Sequence, residues 1–186
     1  MQLSVIICCH NPRIDYFARV LEALKAQTLS TDNWELLVVD NASEGSVAAS
    51  HNISWHPNAH HVREENLGLT CARLRGIAEA SADLLVFVDD DNVIAENYLD
   101  VATQIATDWR CLGAWGGQQL AEFEGGEPRE AWISRRSAFE RDRNVDDLSR
   151  GRRCKAVHGS TQEIPASRNC IGSRSDHTKI LLAGRC

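Results

Sequence analysis

At 186 residues, with 43% hydrophobic and 25% charged side chains, the chain has the size and composition of one globular domain with a real core. Its 26 acids outnumber its 20 lysines and arginines, and the net charge of -6 excludes a general nucleic-acid binder, which needs a basic face to displace counterions from phosphates. The 7 cysteines are odd in number and form no Cys-x-x-Cys pair, which excludes zinc-ribbon and dithiol redox motifs and points to reduced thiols in a cytoplasmic protein.

Met1 leads directly into an apolar stretch with no basic region before it, so no signal peptide is expected. Nothing approaches the roughly 20 apolar residues that span a bilayer, which leaves only peripheral membrane contact open. Leu3 to Cys9 reads as a first buried strand, with Cys8 and Cys9 pointing to opposite faces, and His10-Asn11-Pro12 ends it, because proline cannot continue a central ladder. Ile14 to Gln27 carries Phe17, Val20, Leu21 and Leu24 at helical spacing. Trp34 to Asp40 is a second strand, closed by an acid, and Asn41-Ala42-Ser43-Glu44 forms a turn. The polar region from Gly45 to Asn58 yields no element, and His51, His56, His60 and His61 lack the ordered spacing of a metal site, so they are expected on surface loops.

A weaker third strand near His60 to Glu64 precedes Asn66-Leu67-Gly68, where glycine permits a tight entry into a helix from about Leu69 to Ala80. Arg73 and Arg75 on that helix fall on different faces, so one can reach an anionic ligand while the other stays in solvent; two solubilising arginines is the plainer alternative. Leu84 to Val88 is an uninterrupted apolar run that stops at Asp89-Asp90-Asp91, as a strand buried on both faces of a parallel sheet does. Its acids then lie at the carboxyl edge, where open α/β sheets bind ligands. Adjacent carboxylates repel, and Mg²⁺ or Mn²⁺ shared with a substrate diphosphate would relieve that repulsion; a solvated acidic turn is the alternative. Ala95 to Thr107 is an amphipathic helix with Tyr98, Leu99, Ala102 and Ile105 inward, and Leu112 to Gln118 a further strand. Strand and helix alternate throughout, which predicts an α/β fold, a Rossmann-like and mostly parallel sheet with helices on both faces. From Arg141 the apolar share falls and periodicity is lost, so residues 1–120 form the expected core and 121–186 a partial segment with a poorly ordered tail, in which only Ile180 to Ala183 could add an apolar element.

Four stretches resemble the inverting nucleotide-sugar glycosyltransferases of family 2, which have the GT-A fold. These are Ser4 to Pro12, Leu36 to Ser43, the Asn-x-Gly-x-x-x-Ala-Arg element Asn66 to Arg73, and the DxD-like Asp89-Asp90-Asp91, in the family's order and each at the expected sheet edge. The resemblance implies a donor site built from His10, Asn11, Pro12, Asp40, Asn66, Gly68, Arg73, Asp89 and Asp90, with Asp91 and Asp89 holding Mn²⁺ or Mg²⁺. It implies a nucleotide sugar as donor, most simply a uridine diphosphate sugar, and a saccharide or lipid-linked acceptor. The family's later Glu-Asp base motif and Gln-x-x-Arg-Trp element are not found after Gln118; Glu163 and Asp176 are lone acids, so no general base is assigned. Together with the change in composition this implies a truncated or frame-shifted product that keeps the donor half. A non-catalytic nucleotide-sugar or partner-binding module is the competing reading. A phosphotransferase of the haloacid dehalogenase type fits poorly, because strand one ends in His10-Asn11-Pro12 rather than Asp-x-Asp, and a dinucleotide oxidoreductase fits worse for want of GxGxxG.

Overall fold

The computed structural model describes residues 1–117 in full and the backbone of 179–183. Among the described residues six parallel strands form one sheet: β1 (Leu3–Cys9), β2 (Trp34–Asn41), β3 (Ala59–Glu64), β4 (Leu84–Asp89), β5 (Ala114–Gly116) and β6 (Lys179–Ala183), in the spatial order β3-β2-β1-β4-β6-β5. The helices are α1 (Ile14–Lys25), α2 (Val47–Ser50), α3 (Leu69–Glu79) and α4 (Tyr98–Asp108).

Alternation along the strands divides the core in two. Val5, Ile7, Cys9, Leu36, Val38, Val86 and Val88 face α1 and α4, where Phe17, Val20, Leu21, Leu24, Leu99 and Ala102 meet them. Ile6, Leu37, Val39, Leu85 and Phe87 face the opposite way, onto Ala72 of α3, with Cys8 beside them. The two adjacent cysteines therefore serve opposite layers, as period-two geometry requires. Phe17 and Leu24 are wholly buried, and each contributes about 2 kcal/mol by leaving water.

Small residues set the approach of α3. A side-chain carbon on Gly76 would stand 2.5 Å from Ile6 Cγ2, so this helix lies on the sheet at a distance only glycine allows. At the sheet's amino end, Glu35 Oε1 accepts hydrogen bonds from Ser4 Oγ at 2.5 Å, Ser81 N at 2.6 Å and Ser81 Oγ at 2.8 Å, and Ser4 Oγ accepts from Ala82 N at 3.0 Å. One buried carboxylate thereby ties β1 and β2 to the turn before β4. Asn97 gives α4 no side-chain cap; Gln27 supplies it from the end of α1, its Oε1 accepting from Leu99 N at 3.1 Å while its Nε2 donates to Ala95 O at 2.8 Å.

Two expectations are corrected. The stretch from Gly45 to Asn58 is not a polar surface loop throughout: it contains α2, buries Val47 and Ile53, and buries His51 and His56 at 7% and 2% exposure. These histidines are held by aromatic edges, His51 against Phe17 at 4.6 Å and His56 against Trp34 at 4.1 Å, whereas His60 is exposed as expected. The second correction concerns Lys179–Ala183, placed by sequence in a poorly ordered tail. It forms β6, between β4 and β5, and belongs to the same compact unit as the amino-terminal strands. The rest of 118–178, including Glu163 and Asp176, lies outside the described residues.

Candidate functional site

All six strands run the same way, so their carboxyl ends share one edge, and the register fixes which residues meet there. Cys9 pairs with Asp40 on one side of β1, and Cys8 with Asp89 on the other. The ends of β2 and β4 are thus separated by one strand. Electrostatics report the same proximity. Both thiols are pushed up to about 12, first by burial; Cys8 also feels Arg73, Asp89 and Asp90, and Cys9 feels Asp40 and Asp90.

Two residues at this edge take the left-handed backbone conformation without being glycine, Asn11 at φ 46° and Ala42 at φ 53°. Such strain persists only where neighbours over-determine it. Here the turns after β1 and β2 lock together: Asn11 N donates to Ser43 Oγ at 2.9 Å, Glu44 N donates to Asn11 Oδ1 at 3.0 Å, and His10 Nδ1 lies 2.7 Å from Asn41 O. A carbonyl can only accept, so Nδ1 carries the proton and Nε2 is left to accept from Asn11 Nδ2 at 3.2 Å.

Asn41, buried at the end of β2, extends the lock to the next loop. Its Oδ1 accepts from Gly68 N at 2.7 Å, and its Nδ2 donates to Asn66 O at 2.7 Å and Glu64 O at 3.2 Å. Gly68 has φ 143°, a conformation other residues seldom adopt, and α3 starts immediately after it. The Asn66 side chain turns to Glu64 Oε1 at 2.8 Å, so in this structure its amide serves the loop. Pro12 is half-buried between the β1 turn and α1.

Asp40 is 7% exposed yet charged. Oδ1 accepts from Ser43 N at 3.1 Å and Oδ2 from Arg63 Nη1 at 2.7 Å. Burial pushes its carboxyl up, but the Ser43 and Arg63 hydrogen bonds outweigh that and hold it below the usual carboxylate range. Sequence reasoning placed Asp40 at this edge and missed Arg63 and Ser43 as its supports; the register of Asp40 with Arg63 across β2 and β3 brings the guanidinium to it.

On the other side of β1, Asp89 to Asn92 forms a tight turn in which Asn92 N donates to Asp89 O at 3.1 Å, with Asp90 and Asp91 at its centre. All three aspartates are half-buried. Arg73 Nη2 stands 3.7 Å from Asp89 Oδ1, and its guanidinium lies 5.8 Å over the Phe87 ring. Arg75 turns the other way, to Glu79 at 2.8 Å, which answers which arginine reaches the edge. Among the described residues no three His, Cys, Asp or Glu side chains converge as a metal cage. Carboxylate oxygens such as those of this turn are the donors a hard divalent cation prefers, and Mg²⁺ is commonly held by one or two of them and completed by substrate phosphates and water.

Among the described residues no helix is long and apolar enough to cross a membrane. Residues 4–156 match the family model for glycosyl transferase family 2. Over 108 residues the chain is 32% identical to YwdF, an uncharacterized glycosyltransferase of Bacillus subtilis, and 29% identical, again over 108 residues, to EpsH, a putative glycosyltransferase of the same organism. These matches cover 58% and 57% of this chain but only 39% and 30% of the relatives, so the chain matches well under half of their length. Crystal structures of S. aureus TarS 1-349 share the fold, with TM-scores of 0.56 for the complex with UDP and 0.54 for that with UDP-GlcNAc, at 21% identity. Each covers 69% of this chain, and 38% and 37% of TarS respectively. A parallel sheet layered by helices, an acidic turn at its carboxyl edge and a family match over most of the sequence lead to one conclusion: the chain belongs to glycosyl transferase family 2.

Proposed function

We propose that the chain forms the donor-binding part of an inverting glycosyltransferase that transfers a sugar from a nucleotide diphosphate sugar, of the uridine type, to an acceptor hydroxyl on a saccharide or a lipid-linked saccharide. The observation that carries this reading is the gathering of Asp40, the His10–Asn11 turn, the Gly68 loop, Arg73 and the acidic turn at one sheet edge. The UDP and UDP-GlcNAc complexes of TarS support the nucleotide type.

Each group has a task that follows from its chemistry. Asp40, kept ionised, is an acceptor only, and suits the N–H of a nucleotide base. Gly68 leaves room for the nucleotide to approach the backbone at the start of α3. Arg73 places positive charge beside the acidic turn, where the departing diphosphate develops its negative charge. Asp91 and Asp89 would hold Mg²⁺ or Mn²⁺, which when bound supplies Lewis-acid stabilisation of that same charge. Inversion further needs a carboxylate base on the acceptor side; Glu163 and Asp176, each isolated in sequence, are outside the described residues. The missing Glu-Asp motif favours one alternative, a nucleotide-sugar binding module without turnover.

Calorimetric titration of UDP with and without Mn²⁺ tests the reading. Binding that needs the metal and is lost in Asp91→Asn supports it, and binding indifferent to both overturns the role given to the acidic turn. Release of UDP from a UDP-sugar then separates enzyme from binding module.

A further inference from the structure

We propose that Arg63 is a positioning residue for donor recognition, clamping the Asp40 carboxylate and the Ser43 carbonyl into a single rigid edge against which the nucleotide base is read. The inference rests on the placement of Asp40 at the base, made above, and adds the residue that makes that placement work.

Arg63 Nη1 donates to two acceptors at once, Asp40 Oδ2 at 2.7 Å and Ser43 O at 3.1 Å. Those acceptors lie on either side of Ala42, the strained residue of the β2 turn, so the guanidinium bridges the turn from outside. Its Nε is held in turn by Glu65 Oε1 at 3.2 Å, and the Arg63 side chain is 41% exposed against 9% for that of Asp40. The pair therefore has a buried, acceptor-only end and an exposed cationic end. The Ser43 amide, the Ser43 hydroxyl and the Arg63 guanidinium take three of the roughly four acceptor positions of the carboxylate and leave about one for a base N–H. An arginine with no role beyond solubility would not need two acceptors from the turn it faces.

A pH signature follows from the groups around Asp40. Cys9 faces it from β1, and His61 and Arg63 from β3. Burial alone raises the Asp40 carboxyl; Arg63 and Ser43 reverse that sign. Without Arg63 the carboxyl should protonate at higher pH and present an O–H where the base requires an acceptor.

The test is calorimetric titration of UDP, with Mn²⁺ present throughout, into the full chain at pH 7.5 and pH 5, for the parent, Arg63→Gln, Arg63→Lys and Asp40→Asn, with thermal unfolding to confirm that each is folded. The terminal phosphate of UDP itself gains a proton between these pH values, so each variant is read as its ratio to the parent at the same pH. Arg63→Gln should bind about tenfold more weakly than the parent at pH 7.5 and fall further behind it at pH 5, and Arg63→Lys should recover part of the affinity with a ratio to the parent that does not change with pH. Parent-like affinity in Arg63→Gln, or a loss without pH dependence, overturns the inference while a weakened Asp40→Asn leaves the donor reading standing. An Asp40→Asn variant that binds like the parent, or a parent that binds no UDP, overturns the donor reading itself.

Discussion

Replacing Gly76 with alanine should destabilise the fold, although alanine is the better helix former. A carbon added there would stand 2.5 Å from Ile6 Cγ2 and 3.5 Å from both Ile6 Cδ1 and Val39 Cγ2. Carbon atoms in comfortable contact are about 3.5–4.0 Å apart, so the first of these is an overlap of roughly 1 Å. Ile6 is wholly buried in β1 and branched at Cβ, which leaves its γ-methyl little freedom to rotate away. The helix must lift instead. Overpacking of this kind costs about 1–3 kcal/mol, and the gain in helix propensity offsets about 1 kcal/mol of it. A net loss of about 1 kcal/mol should lower the thermal midpoint by roughly 2–4 °C. Urea unfolding of the parent and Gly76→Ala at pH 7.5 measures it. Ile6→Val keeps Cγ2 and should give no rescue, whereas Ile6→Ala removes it, so a double-mutant cycle of Gly76→Ala with Ile6→Ala should show coupling above about 0.5 kcal/mol. If Gly76→Ala is as stable as the parent, the claim that α3 sits at glycine-only distance is wrong.

Three further outcomes are expected. Glu35→Ala strands the buried Ser4 hydroxyl and removes the acceptor of the part-buried Ser81 amide, and should cost about 2 kcal/mol in urea unfolding, with Glu35→Gln intermediate. Burial holds His56 and His61 below the ordinary histidine range, so the stability they contribute by staying neutral is complete above about pH 6.5 and is lost as pH falls through their folded values; the urea midpoint should drop between pH 7.5 and pH 5, and His56→Phe should flatten part of that slope. Cys8 and Cys9, with thiols pushed up to about 12, should resist a thiol reagent in the native protein at pH 7.5, while the exposed Cys111 reacts, which peptide mass mapping resolves.

The buried strands and α1 were legible because aliphatic residues announce burial by their spacing. Phe17, Val20, Leu21 and Leu24 turn inward as the 3.6-residue period requires, and Leu84 to Val88 is buried along its length. Asp40 and the acidic turn were legible because each ends such a run. The segment around His51 and His56 was not, since its contacts are edge-on between imidazole and aromatic rings, and histidine looks polar in a sequence. Nor was the place of β6, because an apolar tetrad far along the chain carries no mark of which two strands it will separate. The supports of the site, Arg63 to Asp40 and Asn41 to Gly68, depend on which strand lies beside which, and short-range pattern is silent on that.

The insertion of β6 between β4 and β5 bears on how the molecule is made. During synthesis β1 to β4 emerge first and can pair among themselves, yet the free side of β4 must wait until residue 183 has left the ribosome. Until then the β6 side of β4 lacks its final partner, and an unfilled ladder of amides and carbonyls on so apolar a strand is a template for association with a second nascent chain. Chaperone demand should therefore last until the residues of β6 have emerged.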